Sequence, residues 1–464
     1  MKLINVQKKV ALIFFLVIFL VIFEDLFRKF IPGRPPLFFL VKDMFLILLY
    51  GLFILQINNK TKVILYTPII LPLLMLLLYE LFSIFWMSNF NILVFINGLK
   101  ADFFYAFLMF IVPYFLNDDK NLNKLYKLAY YSILFIFSLQ IFQLLFPSIA
   151  NTLTMYNVND EYLTVSHSGH SFGAGYFIEY LKTYFFSSAK MSDMVTHLYL
   201  IFVLLALYIN NFKPRVIILV TVVVFFMLFL TGKRIYIILF PLFLLVFIFL
   251  LYKYSFIIKN NSMGLYYKYI KLKRLFVTSL IISLACIFIL FFTNERIEIL
   301  FSFIYEAMST GFSERFLTSN SMYGGSFFEL LKLDHLFYGQ GVGTNTQGVS
   351  QLNPSAQEYY SGFEMGYFKF INEHGILGFI LFILFIFSIF YFDIKSYLVN
   401  KKINFKIISL LILTYHFISF LRYFNGHQFF GSSQTIFWFW FLMGFQIFIY
   451  HKARLDESKN INSY

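Results

Sequence analysis

Runs of about twenty apolar residues recur from one end of this chain to the other, and no other feature constrains its fold so tightly. A segment of roughly 17–25 mostly apolar residues is long enough to cross a bilayer as a helix. A helix also satisfies its own backbone groups where no water is present. Twelve such runs can be read, at 10–27, 37–57, 63–85, 92–116, 125–147, 194–210, 215–231, 235–252, 275–292, 367–392, 407–424 and 434–450. Of the 464 residues, 60% are apolar and 13% are charged. The charged share is about half the ~25% of a soluble domain, which excludes a soluble enzyme, a disordered chain and a nucleic-acid-binding domain. The expected fold is all-α, a polytopic bundle of about 12 transmembrane helices forming one integral membrane domain over 1–464. The first run follows Lys8 and Lys9 as a signal peptide would. It leads into Glu24-Asp25 without a small-residue cleavage site, so it reads as a retained anchor helix. Cys286 is the one cysteine, which leaves no intramolecular disulfide and no cysteine-based metal cluster.

The net charge of +14 has to be read by position, because Lys and Arg collect in cytoplasmic loops. With twelve spans and a cytoplasmic N-terminus, 23 of the 37 basic residues fall in cytoplasmic segments and 10 outside. Lys42, Lys100, Lys369 and Arg422 lie within spans. Both termini are therefore expected in the cytoplasm, with 253–274 a basic cytoplasmic loop and two long extracytoplasmic loops at 148–193 and 293–366. Topology accounts for the basic loop, and contact with anionic lipid is a further reading. No internal repeat is visible, which argues against an inverted-repeat transporter.

An ionisable residue inside a span is costly and faces a cavity or a partner. Lys42 and Asp43 are adjacent, and Lys100 and Asp102 are two apart. Neither spacing puts both members on one helix face, so each is expected to find its partner on another helix. Glu80 lies near the outer end of its span, and interhelical pairing is the simplest account of all these residues. His416 reads as a hydrogen-bonded packing residue. Lys233 and Arg234 occupy a very short outer turn, Thr-Gly-Lys-Arg, where they either snorkel to the interface or clamp an anion. Arg315 is a second outer basic point, in Gly-Phe-Ser-Glu-Arg-Phe. The run Tyr338-Gly339-Gln340-Gly341-Val342-Gly343-Thr344-Asn345 is either a plain flexible loop or a backbone that approaches a ligand closely. It is no P-loop, since no Gly-Lys-Ser/Thr follows. His167 and His170 have a His-x-x-His spacing, but no carboxylate pair or Cys nearby completes a metal site. They and His427 read as glycan-binding candidates or as ordinary loop residues. No metal and no other cofactor is expected.

Five patterns occur in a fixed order. Ser168-Gly169-His170-Ser171-Phe172-Gly173-Ala174-Gly175-Tyr176-Phe177 comes first, and Leu230-Thr231-Gly232-Lys233-Arg234 opens an apolar helix. Ser313-Glu314-Arg315-Phe316 then precedes Leu336-Phe337-Tyr338-Gly339-Gln340-Gly341-Val342-Gly343. Phe368-Lys369-Phe370-Ile371-Asn372-Glu373-His374-Gly375-Ile376-Leu377-Gly378 closes the series. Over about residues 165–392 this resembles the O-antigen polymerase and O-antigen ligase superfamily of bacterial cell-surface polysaccharide assembly. The resemblance implies a donor glycan linked to undecaprenyl diphosphate, with Arg234 and Arg315 matching the arginines that contact the diphosphate. Ligases of the superfamily carry a His about eleven residues before the first glycine of the closing motif. Glu364 stands there in this chain, which departs from the ligase pattern and favours a polymerase. As a carboxylate at a loop–helix junction, Glu364 is the expected general base, with charge stabilisation of the helix N-terminus as the other reading. Arg315 reaches Gly325 after nine intervening residues, where polymerases often show Arg-x10-Gly. The implied location is the bacterial cytoplasmic membrane with the site facing outward. Membrane lipid, a chain-length regulator and a flippase are the implied partners, and nucleic acid is not. A ligase and a lipid-linked oligosaccharide flippase or transporter are the alternatives.

Overall fold

The computed structural model describes residues 2–30, 37–57, 66–86, 91–146, 188–209, 213–230, 234–259, 270–282, 336–343, 366–422 and 434–461, with 149, 267 and 285 besides. Among these the chain is helical, with turns and no strand. The helices are α1 (Lys2–Phe30), α2 (Leu37–Ile57), α3 (Thr67–Phe82), α4 (Ile92–Phe103), α5 (Leu108–Leu116), α6 (Asp119–Leu145), α7 (Ser188–Ile209), α8 (Pro214–Leu230), α9 (Arg234–Lys259), α10 (Gly366–Val399), α11 (Ile403–Arg422) and α12 (Gln434–Ile461). Residues 270–282 are helical as well. Among the described residues, six stretches are long and apolar enough to cross a membrane, namely Pro68–Phe85, Ile92–Leu116, Asp119–Gln143, Met191–Ile209, Phe370–Val399 and Ile403–Leu421.

The helices begin where the sequence offers caps. Asn91 accepts from the amides of Leu93 and Val94 at the start of α4, and Asp118 accepts from Lys120 at the start of α6. Pro68 sits in the first turn of α3, where its missing N–H costs no helical bond. The run 92–116, expected as one span, is two helices joined by 104–107. Amides of 106, 108, 109 and 110 bond three residues back through this turn, so the crossing keeps its backbone paired.

Two compact units divide the chain. The first comprises Met1–Thr61 and Asn117–Glu306. Here α1 and α2 are tied by Lys42 Nζ donating to Glu24 Oε2 at 2.9 Å, both groups buried, so Lys42 does find its partner on another helix. Tyr126 of α6 stacks on Phe202 of α7 at 5.0 Å. Tyr199 of α7 meets Thr221 Oγ1 of α8 at 3.0 Å and packs edge-on against Phe240 of α9.

The second unit comprises Lys62–Leu116 and Ala307–Tyr464. Its core is α12, buried without interruption from Thr435 to Tyr450. Gly444 lets α12 approach α5 closely, since a Cβ there would lie 2.6 Å from Val112 Cβ. α10 and α11 are joined by a buried polar set in which Asn400 Nδ2 donates to Ser396 O at 2.7 Å and to Ser409 Oγ at 3.0 Å. His416 Nδ1 lies 2.7 Å from Asp393 Oδ2, which makes it the hydrogen-bonded packing residue expected. The opposite face of α10 exposes Leu377, Ile380, Leu384, Phe387, Tyr391, Ile394 and Leu398. That three-to-four spacing is a continuous apolar stripe, which hydrocarbon would solvate and water would not.

Candidate functional site

The centre of interest lies in the second unit, where α10 is broken. Gly375 has φ 65° and ψ −174°, a conformation open in practice to glycine alone. A helix interrupted in an apolar medium leaves carbonyls before the break and amides after it without partners. The glycine-rich segment 336–343 supplies both. Gln340 N donates to Asn372 O at 2.8 Å and Gly341 N to Glu373 O at 2.9 Å. Ile376 N donates to Leu336 O at 2.9 Å and Leu377 N to Phe337 O at 3.3 Å. His374 O accepts from Tyr79 Oη of α3 at 2.7 Å. Every carbonyl and amide from 372 to 377 that these bonds name is therefore paired across the gap.

The glycines make this splint possible because the backbones touch. A Cβ on Gly339, whose φ is 77°, would lie 2.2 Å from Glu373 O. One on Gly375 would lie 2.3 Å from Phe337 O. On the far side Gly98 of α4 faces the backbone of Gly343, and Val342 is fully buried between Phe95 and Leu99. The run read from sequence as a flexible loop or a ligand cradle instead spends the amides of 340 and 341 on a helix end. What it approaches is another stretch of its own backbone.

The break puts Glu373 and His374 beside two carboxylates on other helices. His374 Nδ1 lies 3.9 Å from Glu80 Oε1 of α3, and Nε2 lies 3.8 Å from Asp102 Oδ2 of α4 and 3.7 Å from Glu373 Oε2. Glu80 is 0% exposed and His374 1%. Neither nitrogen of His374 has a hydrogen-bond partner, and the carboxyl of Glu80 pairs with that of Asp102. A buried polar group left unsatisfied costs about 1–3 kcal/mol, and more when charged. Glu80, Asp102 and His374 each offer one donor atom within 4.8 Å of the others, a donor set that could hold a metal ion. The phenyl ring of Phe370 closes one side, its centroid 4.1 Å from that of His374.

Beyond this cluster Trp86 Nε1 donates to Tyr338 O at 3.0 Å, and the rings of Tyr79, Trp86 and Tyr338 lie in series at 5.5 and 5.7 Å. These aromatics hold the glycine segment to the end of α3.

The structure does not bring the side chains expected to act into its description. Lys233, Arg315, Glu364, His167, His170 and His427 fall outside the described residues. Arg234 is the first residue of α9, and its side chain is outside the description. The residues that do converge were visible in the sequence as separate facts. Glu80 and Asp102 stood out as intramembrane carboxylates, and His374 stood inside the closing motif. The signal that links them is that each lies in the last turn of its helical segment. No known protein family matches the chain, and no characterised protein or solved structure shows significant similarity to it.

Proposed function

We propose that this chain is a bacterial membrane glycosyltransferase that polymerises a surface polysaccharide, whether O-antigen of lipopolysaccharide, capsule or exopolysaccharide. The observation that carries the reading is the ordered series of motifs on a helical chain rich in membrane-length apolar segments, ending in Glu373-His374-Gly375-Ile376-Leu377-Gly378. Twelve spans with both termini cytoplasmic put the loops 148–193 and 293–366 on the outer face of the cytoplasmic membrane. There a growing glycan on undecaprenyl diphosphate meets a second lipid-linked repeat unit. A hydroxyl of that unit attacks the anomeric carbon, a new glycosidic bond forms, and the bond to the diphosphate breaks. Negative charge grows on the leaving diphosphate, so fixed cations there stabilise the transition state more than the ground state. Arg315 and Arg234 fill that role with Lys233 assisting, and Glu364 takes the proton of the attacking hydroxyl. His167, His170 and His427 are the glycan-binding candidates, and a chain-length regulator and a flippase are the partners such a reaction calls for.

Deleting the gene and resolving the surface glycan on a gel tests this directly, with single repeat units on an intact carrier as the expected result. Arg234→Ala and Arg315→Ala should keep protein levels and abolish long chains. Normal chain lengths in both would sink the clamp. In a reconstituted assay Glu364→Gln should lose turnover. A label transferred to a lipid A core or a protein, with no lengthening of the lipid-linked glycan, would identify a ligase instead.

A second reading is favoured by one observation, the buried Glu80, Asp102, Glu373 and His374 cluster beside a broken helix. Intramembrane ionisable groups at discontinuous helices mark transport paths. Proteoliposomes that translocate lipid-linked glycan without extending it would establish a transporter.

A further inference from the structure

We infer that Glu80, Asp102 and His374 form a binding site for a divalent transition-metal ion, in contrast to the expectation from sequence that no metal is held. The inference does not depend on glycosyl transfer. Its first support is the donor set: two carboxylates and an imidazole, from α3, α4 and α10, with one donor atom of each within 4.8 Å of the others. An ion bound at ~2.0–2.2 Å from each donor needs donors no more than about 4.4 Å apart. An imidazole ligates through one nitrogen: Nδ1 makes the 3.9 Å contact with Glu80 and Nε2 the 3.8 Å contact with Asp102, so whichever nitrogen binds already has one carboxylate inside that limit. The other carboxylate has to rotate toward the ion to complete the set.

The second support is independent of the clustering. Both nitrogens of His374 are buried without a hydrogen bond, Nδ1 facing Glu80 and Nε2, on the other edge of the ring, facing Asp102 and Glu373. A buried imidazole without a hydrogen bond, set among three carboxyl groups, has the form of a ligand facing an ion. Glu80 and Asp102 lie in the last turns of α3 and α4, and His374 ends the first half of α10, so each donor sits at the end of a helical segment. Glu373 Oε2, 3.7 Å from His374 Nε2, is placed as a further ligand or as an outer partner of the histidine. An ion would enter past Asp102 and Glu373, whose side chains keep 8% and 9% exposure.

Mixed imidazole and carboxylate donors suit Zn2+ and Mn2+ better than Mg2+, which keeps its waters, or Cu(I), which prefers sulfur. The test uses the full chain purified in detergent on a tag without histidine, stripped with chelator, and titrated with ZnCl2, MnCl2 or CoCl2 alone. One equivalent of Zn2+ or Mn2+ is expected to bind and raise the melting temperature, and Co2+ to give visible d–d absorption. Glu80→Gln and His374→Gln should each weaken binding at least tenfold. Gln at 80 keeps the shape of Glu, and helical circular dichroism with an unchanged elution volume certifies the fold of each variant. Absence of binding to the wild type would overturn the site and leave the carboxyls sharing protons. Undiminished binding by both folded variants would overturn it too, by placing the metal at other histidines.

Discussion

At the scale of single residues, the chain keeps several charges and polar groups where hydrocarbon would exclude them, and the structure joins Lys42 to Glu24 and His416 to Asp393 on other helices. The Lys42–Glu24 pair makes the point quantitatively, since removing one member strands the other. Lys42→Met should cost about 3–5 kcal/mol of stability, while a double replacement of Lys42 by Met and Glu24 by Leu should recover most of it. Thermal unfolding in detergent measures both, and equal losses in single and double variants would count against the pairing. Glycines offer a second contrast. Gly375→Ala places a Cβ against Phe337 O in a backbone region reserved for glycine, so a loss of about 1–3 kcal/mol or more is expected. Gly51, inside α2, has no heavy atom near enough to obstruct a Cβ. Gly51→Ala should gain about 0.5–1 kcal/mol. A matching gain in both would mean that helix propensity and not backbone contact governs these positions.

Among the elements, α10 with its splint is the one that departs from what periodicity predicts. A window of apolar residues from 367 to 392 reads as one continuous helix, because apolarity records burial and says nothing of a single φ angle. The break is legible only through Gly375 and Gly378 in the closing motif. Even so, nothing local reveals that 336–343 completes it, because that partner comes from an earlier loop. The packing of Gly343 on Gly98 makes the splint depend on α4. Gly98→Val should push Gly343 away and free the amides of Gln340 and Gly341, which then exchange with deuterium at least tenfold faster. Unchanged protection at those two amides would show that α4 does not hold the segment. The aromatic series of Tyr79, Trp86 and Tyr338 belongs to the same arrangement, and Trp86→Ala should loosen the splint less than Gly98→Val does, by the same exchange measurement.

For the molecule as a whole, membrane-length apolar helices and the exposed stripe on α10 call for a bilayer. The distribution of Lys and Arg makes sidedness testable. In a background with Cys286→Ser, single cysteines placed in 253–274 should resist an impermeant maleimide added to intact cells, and those in 293–366 should react. The reverse pattern would invert the orientation and with it the proposed outward site.

The apolar runs alone are enough to mark a helical membrane chain and roughly where its helices run. Those properties follow from the local sum of transfer free energies over some twenty residues, and no distant contact can reverse them. The sequence also showed which ionisable groups are costly enough to need partners, since that cost is a property of each residue. Which groups meet was decided by tertiary structure alone. Tyr79 and His374 lie 295 residues apart in the chain yet share a hydrogen bond, and Glu80 follows Tyr79 into the same cluster. The meeting depends on how far each helix is rotated about its axis and where α10 breaks. An apolar helix has many rotations of nearly equal local energy, and only the packing of its neighbours selects among them.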